Sequence, residues 1–428
     1  MSHPEAISVL SEVGRLRHVV VQPPGPALER MLPAHIDPGS SEYVLFDDLV
    51  HVPQAREEHD RLREVLSAVA RVDVLEDLVA EVLAEPAARN DVLEGVAIHH
   101  RLRDADAKRL ESLDPEALTQ TLIVGTLGGT LDGPELFAPL PNLIFTRDLA
   151  AVTGGSVVVG SASKLARRRE SVLTWALVEH HPLFADTRVS ETSRLVGKVK
   201  RSAPLTVEGG DVLVVSRQVA LIGASERTTW SMIIRLGEEL LVAGFTRVLV
   251  VEMPKQRSAM HLDTVFTLVD RHQAVVFPPL LEPGAREEAH VIRLRREGES
   301  TVVEATDGDL LEALRAEGIP MEGIPCGGGH PVHARREQWT DGANYVALGP
   351  GVVVGYARNT HTAREMSAHG FRVVSPRAFL SELERDYNGD PDALFASGRR
   401  YAVHLEGSEL CRGRGGPRCL TLPLRRDA

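Results

Sequence analysis

The sequence predicts a mixed α/β protein in which strand–strand–helix units surround a shared core. Two observations carry this prediction. Pairs of short apolar segments recur after Pro141, and a long stretch of helical periodicity precedes them. The pairs keep no fixed sequence period, which argues against a solenoid. We therefore expect a radial α/β arrangement in which loops converge on one face.

The N-terminal part divides into one strand and a helical stretch. The first predicted strand covers residues 17–22 (RHVVVQ) and ends at a proline-rich turn. From residue 53 onward, stretches such as AREEHDRLREVLSAVARV carry apolar residues three and four positions apart between charged faces. We therefore predict an inserted helical bundle of four or five helices at 53–125. Residues 1–52 and 126–428 would form the catalytic α/β domain.

The paired apolar segments share one form, in which two short runs flank a polar or glycine-containing turn. They cover residues 211–223, 264–278 and 345–356, with a weaker copy beginning at 156–160. Helices are expected from about residue 165, at 228–243, and at about 362–369.

The bulk composition excludes several classes of protein. The formal net charge of −12 disfavours a nucleic-acid partner, because phosphate binding needs a basic surface, but it permits a cationic small molecule. Neither a membrane-spanning apolar run nor a signal-peptide pattern is visible in the sequence. Three cysteines without dense spacing indicate a reducing compartment. We expect a cytoplasmic, soluble homo-oligomer that acts on a small molecule, with no nucleic-acid or membrane partner.

Cys419 is the candidate nucleophile. It ends the segment RGRGGPRC, in which three arginines lie within seven residues upstream of the thiol. Cationic neighbours lower the pKa of a thiol and favour the reactive thiolate. Taken alone, the same segment also fits a flexible basic tail or an RNA-binding segment of the RGG type.

Two acidic motifs are candidates for acid–base chemistry. His261 and Asp263 stand two positions apart before a predicted strand, and an imidazole beside a carboxylate suits proton transfer near neutral pH. Metal ligation by this pair fits the pattern equally well. Glu208 and Asp211 flank a glycine pair before a predicted hairpin, a pattern that also occurs in solvated turns.

Three further residues carry charges in suggestive places. Asp148 ends the segment NLIFTRD, where an Arg–Asp pair commonly forms a surface ion pair. Arg167 and Arg227 each stand near the beginning of a predicted helix and are able to bind a carboxylate through two parallel hydrogen bonds. As isolated observations, these arginines also fit a solvated surface.

In this order, the segments resemble the arginine deiminases of the guanidine-modifying superfamily. The resemblance spans almost the whole chain and implies a pentein-like fold, a five-bladed α/β propeller with the active site on its axis. It also implies hydrolysis of free L-arginine to L-citrulline and ammonia. The matching segments are LFDD (45–48), NLIFTRD (142–148), ARRRE (166–170), EGGD (208–211), GASERT (223–228), MHLDTVF (260–266), PGVVVGYARNT (350–360), and GSEL followed by RGRGGPRC (407–419).

The resemblance also implies catalytic roles. Cys419 would be the nucleophile that forms a covalent amidino-thioether. His261 would protonate the departing ammonia and then deprotonate the hydrolytic water. Asp148 and Asp263 would hold the guanidinium, and Glu208 would support both the guanidinium and His261.

The substrate's other groups have implied partners as well. Arg167 and Arg227 would bind the α-carboxylate. Arg414 would lie beside the nucleophile on the closing loop. The resemblance implies neither a metal nor another cofactor. The complete implied set of substrate-binding residues is Asn142, Phe145, Arg167, Asp211, Arg227 and Arg414.

The chain departs from the family pattern at a few places. Leu149 and Leu420 follow the FTRD motif and the nucleophile, where family members often have other residues. The segment 378–405 is longer than expected and reads as a helix followed by a polar loop. Cys326 and Cys411 match no catalytic position, so we expect them to be structural.

Three alternatives to arginine hydrolysis stay open on the sequence. They are a related guanidine-modifying hydrolase or amidinotransferase with another substrate, a non-catalytic arginine-binding protein, and a metallohydrolase that uses His261, Asp263 and Glu208.

Overall fold

The computed structural model describes residues 6–40, 43–44, 46–100, 102–162, 165–198, 205–281 and 289–428. Leu45, the first residue of LFDD, lies outside them. The strands are β1 (Leu16–Val21), β2 (Arg71–Val74), β3 (Ala150–Thr153), β4 (Ser156–Val159), β5 (Arg188–Val189), β6 (Val212–Val214), β7 (Val219–Ala224), β8 (Arg247–Glu252), β9 (Phe266–Asp270), β10 (Gln273–Val276), β11 (Val291–Glu297), β12 (Ser300–Ala305), β13 (Glu322–Pro325), β14 (Val346–Gly349), β15 (Val352–Tyr356), β16 (Arg372–Val374), β17 (Tyr401–Leu405) and β18 (Leu422–Arg426).

Helices connect these strands. They are α1 (Pro26–Glu29), α2 (Pro33–Ile36), α3 (Val52–Ser67), α4 (Leu75–Leu83), α5 (Pro86–His100), α6 (Asp104–Glu111), α7 (Pro115–Val124), α8 (Thr146–Leu149), α9 (Arg168–His180), α10 (Glu191–Lys198), α11 (Trp230–Val242), α12 (Pro278–Leu281), α13 (Leu310–Ala316), α14 (Pro331–Trp339), α15 (Thr360–Ala368), α16 (Pro376–Tyr387) and α17 (Pro391–Ala396). Within the described residues, every helix is too short or too polar to cross a lipid bilayer.

The described strands form five sheets that repeat one pattern. Each sheet contains an antiparallel pair, and one strand of that pair also pairs in parallel with a later strand. This is the second strand of the pair in chain order in four sheets, and β1 in the sheet that contains β18. One or more helices lie between these two parallel strands, as a parallel crossover requires. The strand orders are β18-β1-β2, β3-β4-β5, β12-β11-β8-β7-β6, β13-β10-β9 and β14-β15-β17-β16.

The three predicted hairpins are confirmed. They correspond to the antiparallel pairs β6–β7, β9–β10 and β14–β15, and the weaker copy corresponds to β3–β4. The helices predicted after them are α9, α11 and α15. These elements are local in sequence, so the alternation of apolar runs and turns is enough to predict them.

The prediction of a polar loop at the end of segment 378–405 is wrong. The segment contains α16, α17 and then β17, which lies between β15 and β16 and pairs with both in parallel. The five residues of β17 are all buried. A parallel partner is far away in sequence, so β17 has no hairpin turn that would mark it as a strand.

The stretch 53–125 is not wholly helical. It contains β2, which pairs in parallel with β1. Leu62 and Leu66 of α3 belong to the same apolar core as β1 and β15, whereas α4 to α7 pack with β3, β4 and α9 in another core. The division of the chain at residues 53 and 125 stays a prediction, and this packing favours a later beginning for the insertion, after β2.

One antiparallel pair in each of the five sheets shares a feature that positions the functional side chains. A short segment, which is the helix α8 before β3 and irregular or 3₁₀ elsewhere, stands directly before one strand of each of these pairs. These five segments, which we call the pre-strand segments, precede β3, β6, β9, β14 and β18. In the same order they carry Asp148, Glu208, His261, Asn344 and Cys419.

Candidate active site

Side chains from four pre-strand segments line one cavity of about 320 Å³. It contains nine of the eleven residues expected to be catalytic or substrate-binding, since only Asp211 and Asp263 are missing from its wall. Three lining residues, Arg257, Met260 and Gly413, were not predicted. The complete lining is Asn142, Phe145, Asp148, Arg167, Glu208, Arg227, Arg257, Met260, His261, Gly413, Arg414 and Cys419.

His261 is buried between two carboxylates. Its Nε2 lies 2.9 Å from Oε2 of Glu208, and its Nδ1 lies 3.7 Å from Oδ1 of Asp148. Burial lowers the pKa of the imidazole, but attraction to Asp148 and the hydrogen bond to Glu208 outweigh it and raise the pKa to about 9. His261 is therefore an imidazolium at neutral pH and has a proton to give.

Gly210 makes room for this imidazole. A Cβ atom at position 210 would lie 2.8 Å from Cγ of His261, closer than side chains tolerate. Gly210 is therefore required by the close approach of the histidine ring, and Gly209 by the close approach of the backbone carbonyls of Arg147 and Ala150, and neither by a solvated turn.

The carboxyl group of Glu208 is held in its ionised form. Burial alone would raise the pKa of its carboxyl, but Arg167, Arg227 and His261 outweigh burial and hold the pKa well below its ordinary value. Burial raises the pKa of Asp148, against the attraction of His261 and Arg167. Oδ1 of Asp148 and Oε1 of Glu208 accept no hydrogen bond within the described part of the chain, so both remain available to a donor.

Cys419 is held by its backbone in front of these acids. Its amide donates to Oδ1 of Asn344 at 3.1 Å, and its carbonyl accepts from the amide of Arg147 at 3.1 Å. The sulfur is buried and lies 3.7 Å from Oδ2 of Asp263. Burial, Asp263 and Asp148 together raise the pKa of the thiol well above its ordinary value. The arginines that precede Cys419 in sequence therefore do not produce a thiolate at rest, contrary to the reasoning from sequence proximity.

Asp263 lies beside the cavity and not in its wall. Oδ2 accepts a hydrogen bond of 2.7 Å from Nη1 of Arg418, while Oδ1 has no partner among the described residues. Arg418 is itself held by Glu12, with Nη2 3.1 Å from Oε1 of that residue. One oxygen of Asp263 is thus committed to a structural ion pair, and the other remains available.

Asp211 is not among the residues that line the cavity, and its contact with substrate stays a prediction. Its carboxylate accepts hydrogen bonds from the hydroxyls of Ser225 (2.5 Å) and Thr228 (2.6 Å) and from the amide of Leu262 (2.9 Å). Burial raises the pKa of this carboxyl to about 6. Asp211 joins the turn that carries Arg227 to the turn that carries His261, so we interpret it as a positioning residue.

Asn142, Phe145 and Arg414 close the cavity. Nδ2 of Asn142 donates to the carbonyl of Val44 at 2.6 Å. The guanidinium of Arg414 lies 3.7 Å from the ring centre of Trp339 and donates to the backbone carbonyl of the same residue. Arg414 also adopts a left-handed backbone (φ 65°), a conformation that few side chains favour, so the end of the chain turns sharply just before the nucleophile.

One group of side chains has the spacing of metal ligands within the described residues. Donor atoms of Asp148, Glu208 and His261 all lie within 4.8 Å of one another. Nη1 of Arg167 lies 3.0 Å from Oε2 of Glu208 and 3.3 Å from Oδ2 of Asp148. A guanidinium therefore already neutralises these acids, and a second, doubly charged cation beside it would be repelled. The geometry suits a planar cation better than a metal ion.

Sequence reasoning missed two residues that hold the nucleophile. Asn344 stands directly before the predicted hairpin at 345–356, and it bonds both the amide of Cys419 and the carbonyl of Asp263. Arg418 is one of the three arginines upstream of the thiol, and its guanidinium bonds Asp263. The only signal in the sequence was their nearness to a predicted strand or to Cys419.

Comparison with known proteins agrees with this geometry. The family model described as "Arginine deiminase" matches residues 42–426. The chain belongs to the arginine deiminase family. Arginine deiminases of Streptococcus pneumoniae are 33% identical to it in strain CGSP14 and 34% in serotype 4 strain ATCC BAA-334 / TIGR4. Both alignments cover 100% of this chain and 99% of the relative.

Solved structures outside the arginine deiminase family share the fold. An amidinotransferase of saxitoxin biosynthesis from Microseira wollei superposes with a TM-score of 0.54 at 13% identity, covering 99% of this chain and 98% of the other. The N-terminal domain of ArgZ, a cyanobacterial arginine dihydrolase bound to its product, gives 0.51 at 12% identity, covering 96% and 98%. These neighbours belong to the pentein superfamily, and this chain shares their mixed α/β fold.

Proposed function

We propose that this protein hydrolyses free L-arginine to L-citrulline and ammonia, as its family membership indicates. The observation that carries the proposal is the arrangement of one cavity, in which Cys419 shares the wall with His261, Asp148 and Glu208. A planar cation is held best by flanking carboxylates. Asp148 and Asp263 each have one carboxylate oxygen that accepts no hydrogen bond within the described structure.

The substrate itself activates the nucleophile in this scheme. The acids around Cys419 keep its thiol protonated when the cavity is empty. A bound guanidinium neutralises Asp148 and Asp263 and places a positive charge beside the sulfur, which lowers the thiol pKa. The thiolate therefore forms mainly when arginine is present.

The reaction proceeds in two balanced halves. The thiolate of Cys419 attacks the guanidinium carbon, and a tetrahedral adduct forms. The C–N bond to one terminal nitrogen then breaks, and that nitrogen leaves as ammonia with a proton from His261. This gives an amidino-thioether. Water attacks the same carbon and gives one proton to His261. As the C–S bond breaks, the new hydroxyl gives its remaining proton to the leaving sulfur, which releases citrulline and restores the thiol.

Substitution of the nucleophile tests the proposal. Cys419→Ala should abolish citrulline formation while arginine still raises the melting temperature of the protein, because the binding groups remain. The matched control is Cys326→Ala, which removes another buried thiol that lies outside the cavity and should retain turnover. Citrulline formation that survives in Cys419→Ala would refute the mechanism.

We also propose that the five sheets are the blades of a five-bladed α/β propeller, with the pre-strand segments around its axis. Two features support this arrangement. One pre-strand segment carries the nucleophile and the other four place side chains around it, and the first and last strands of the chain pair with each other. Helices α4 to α7 would then be an insertion between two blades, somewhat shorter than the predicted 53–125.

A further inference from the structure

Arg167 already contacts two of the acids that are expected to hold the substrate's guanidinium. Its Nη1 contacts Glu208 (3.0 Å) and Asp148 (3.3 Å), and its Nε contacts Oε2 of Glu170 (2.8 Å). The side chain is buried. Asp148 and Glu208, which are expected to bind the guanidinium of arginine, therefore already form ion pairs with a guanidinium of the protein.

This contact conflicts with a passive role for Arg167 as a carboxylate clamp. Asp148 and Glu208 cannot give their full charge to a substrate cation while they neutralise Arg167. Removing Arg167 from them without a replacement would leave buried carboxylates without a counterion, which is strongly unfavourable. The contact between Arg167 and the two acids is broken without this cost in free energy only when another guanidinium takes the place of Arg167.

The displaced Arg167 also needs a new partner. Away from Asp148 and Glu208 it would keep only Glu170, an acid whose pKa burial raises to about 7 despite the attraction of Arg167. A second anion near the cavity would stabilise the displaced position. Free arginine supplies both groups, since its guanidinium replaces Arg167 and its α-carboxylate receives it.

We propose that substrate binding exchanges guanidinium groups, so that Arg167 leaves Asp148 and Glu208 only when a ligand brings a guanidinium and a carboxylate together. This inference rests on the proposed arginine hydrolysis and deepens it. Arg167 is then a specificity-determining residue in two ways. It binds a carboxylate on the ligand, and it competes for Asp148 and Glu208 with guanidines that have no carboxylate.

Arg227 provides the matched comparison. It lines the same cavity and was expected to bind the same carboxylate. Its nearest distance to Glu208 is 3.6 Å, beyond a hydrogen bond, and no contact with Asp148 is recorded for it in the described structure. Arg227 should therefore compete for the acids much less than Arg167 does.

The two variants separate exchange from a simple clamp. Arg167→Met should lower kcat/KM for arginine but raise kcat/KM for propylguanidine, which lacks a carboxylate, by about tenfold or more, because a buried charged competitor is gone. Arg227→Met should lower kcat/KM for arginine and should not raise it for propylguanidine, because Arg227 makes no hydrogen bond to either acid. If Arg167→Met fails to raise the propylguanidine value, the exchange is refuted.

A measurement on the unaltered protein covers the case in which Arg167→Met does not fold. Acetate supplies the missing carboxylate separately, so it should increase propylguanidine hydrolysis, whereas chloride at equal ionic strength should not. Equal rates in the two salts would overturn the proposal. If arginine itself gives no citrulline, the proposed function fails instead, and calorimetry of propylguanidine binding in acetate and in chloride still decides the exchange.

Discussion

At the scale of single residues, the active site depends on upward shifts of two pKa values that have opposite effects on reactivity. Asp148 contributes to both, since with Glu208 it raises the pKa of His261 to about 9, and with burial and Asp263 it raises the pKa of Cys419. The empty site therefore holds a protonated imidazole at His261 and an unreactive thiol at Cys419. The surrounding carboxylates favour proton donation by His261 and disfavour formation of the thiolate. Arginine resolves this by adding the positive charge that the thiolate needs.

The raised pKa of His261 predicts the alkaline limb of the pH profile. The imidazole is protonated below its pKa and loses its proton as the pH rises through about 9, so kcat/KM should fall there. Initial rates of citrulline formation between pH 6 and 10 measure this. A fall centred near the ordinary histidine pKa, about 6.5, would show that the acids do not act on His261 as described.

Asn344 gives a second test at this scale. Asn344→Ala removes the acceptor for the amide of Cys419 and the donor to the carbonyl of Asp263. We expect kcat to fall roughly ten- to a hundredfold, for a loss of about 1–3 kcal/mol in buried hydrogen bonds, while KM changes little. Steady-state kinetics separate the two constants.

A purely structural role for Asn344 would give a different result. The Asn344→Ala protein would then unfold at lower urea concentration, yet its folded fraction would keep the original kcat.

At the scale of elements, β17 shows why a buried parallel strand escapes sequence reading. Its five residues are buried, and its partners β15 and β16 begin 49 and 29 residues earlier, at Val352 and Arg372 compared with Tyr401. Only its apolar residues marked it, and the charged sequence before it suggested a loop. Once folded, β17 is as central to its sheet as the predicted hairpin beside it.

Matched substitutions in β17 and β12 test this position. Val403 is fully buried in β17, whereas Val303 of the sheet-edge strand β12 is 52% exposed. Val403→Asp should destabilise the protein by about 4 kcal/mol or more, because a charge is buried without a partner. Val303→Asp should cost less than about 1 kcal/mol. Urea unfolding of both proteins gives the comparison, and similar losses would contradict the topology.

At the scale of the whole molecule, the two ends of the chain meet in one sheet. β1 pairs antiparallel with β18, and the nucleophile stands three residues before β18 begins. Arg418, next to the nucleophile, bonds Glu12 from the N-terminal segment. The position of the thiol therefore depends on the closure of the complete chain. Homo-oligomer formation stays a prediction.

Truncation at the C-terminus tests this dependence. Removal of residues 422–428 deletes β18 and leaves β1 without its antiparallel partner, so the melting temperature should fall by ten degrees or more, at roughly 2–4 °C per kcal/mol for a large domain, and citrulline formation should cease. Removal of Ala428 alone is the control and should change neither. A truncated protein with the original melting temperature would show that the closure contributes little.

The sequence by itself determined the local elements and the chemical inventory of the site. Hairpins form between neighbouring segments, so alternating apolar runs and turns predicted β6–β7, β9–β10 and β14–β15. The ordered motifs were sufficient to identify the family and to nominate nine residues that line the cavity.

The tertiary structure alone decided which groups meet across distance. β2 and β17 pair with strands far away in sequence, and Arg418 bonds Asp263. The carboxylate of Asp211 bonds the turn that follows β7, and Arg167 contacts Asp148 and Glu208. All these contacts join distant parts of the chain. The physical reason is that such contacts depend on chain closure and on burial, which sets both the charge of each group and the partner it requires.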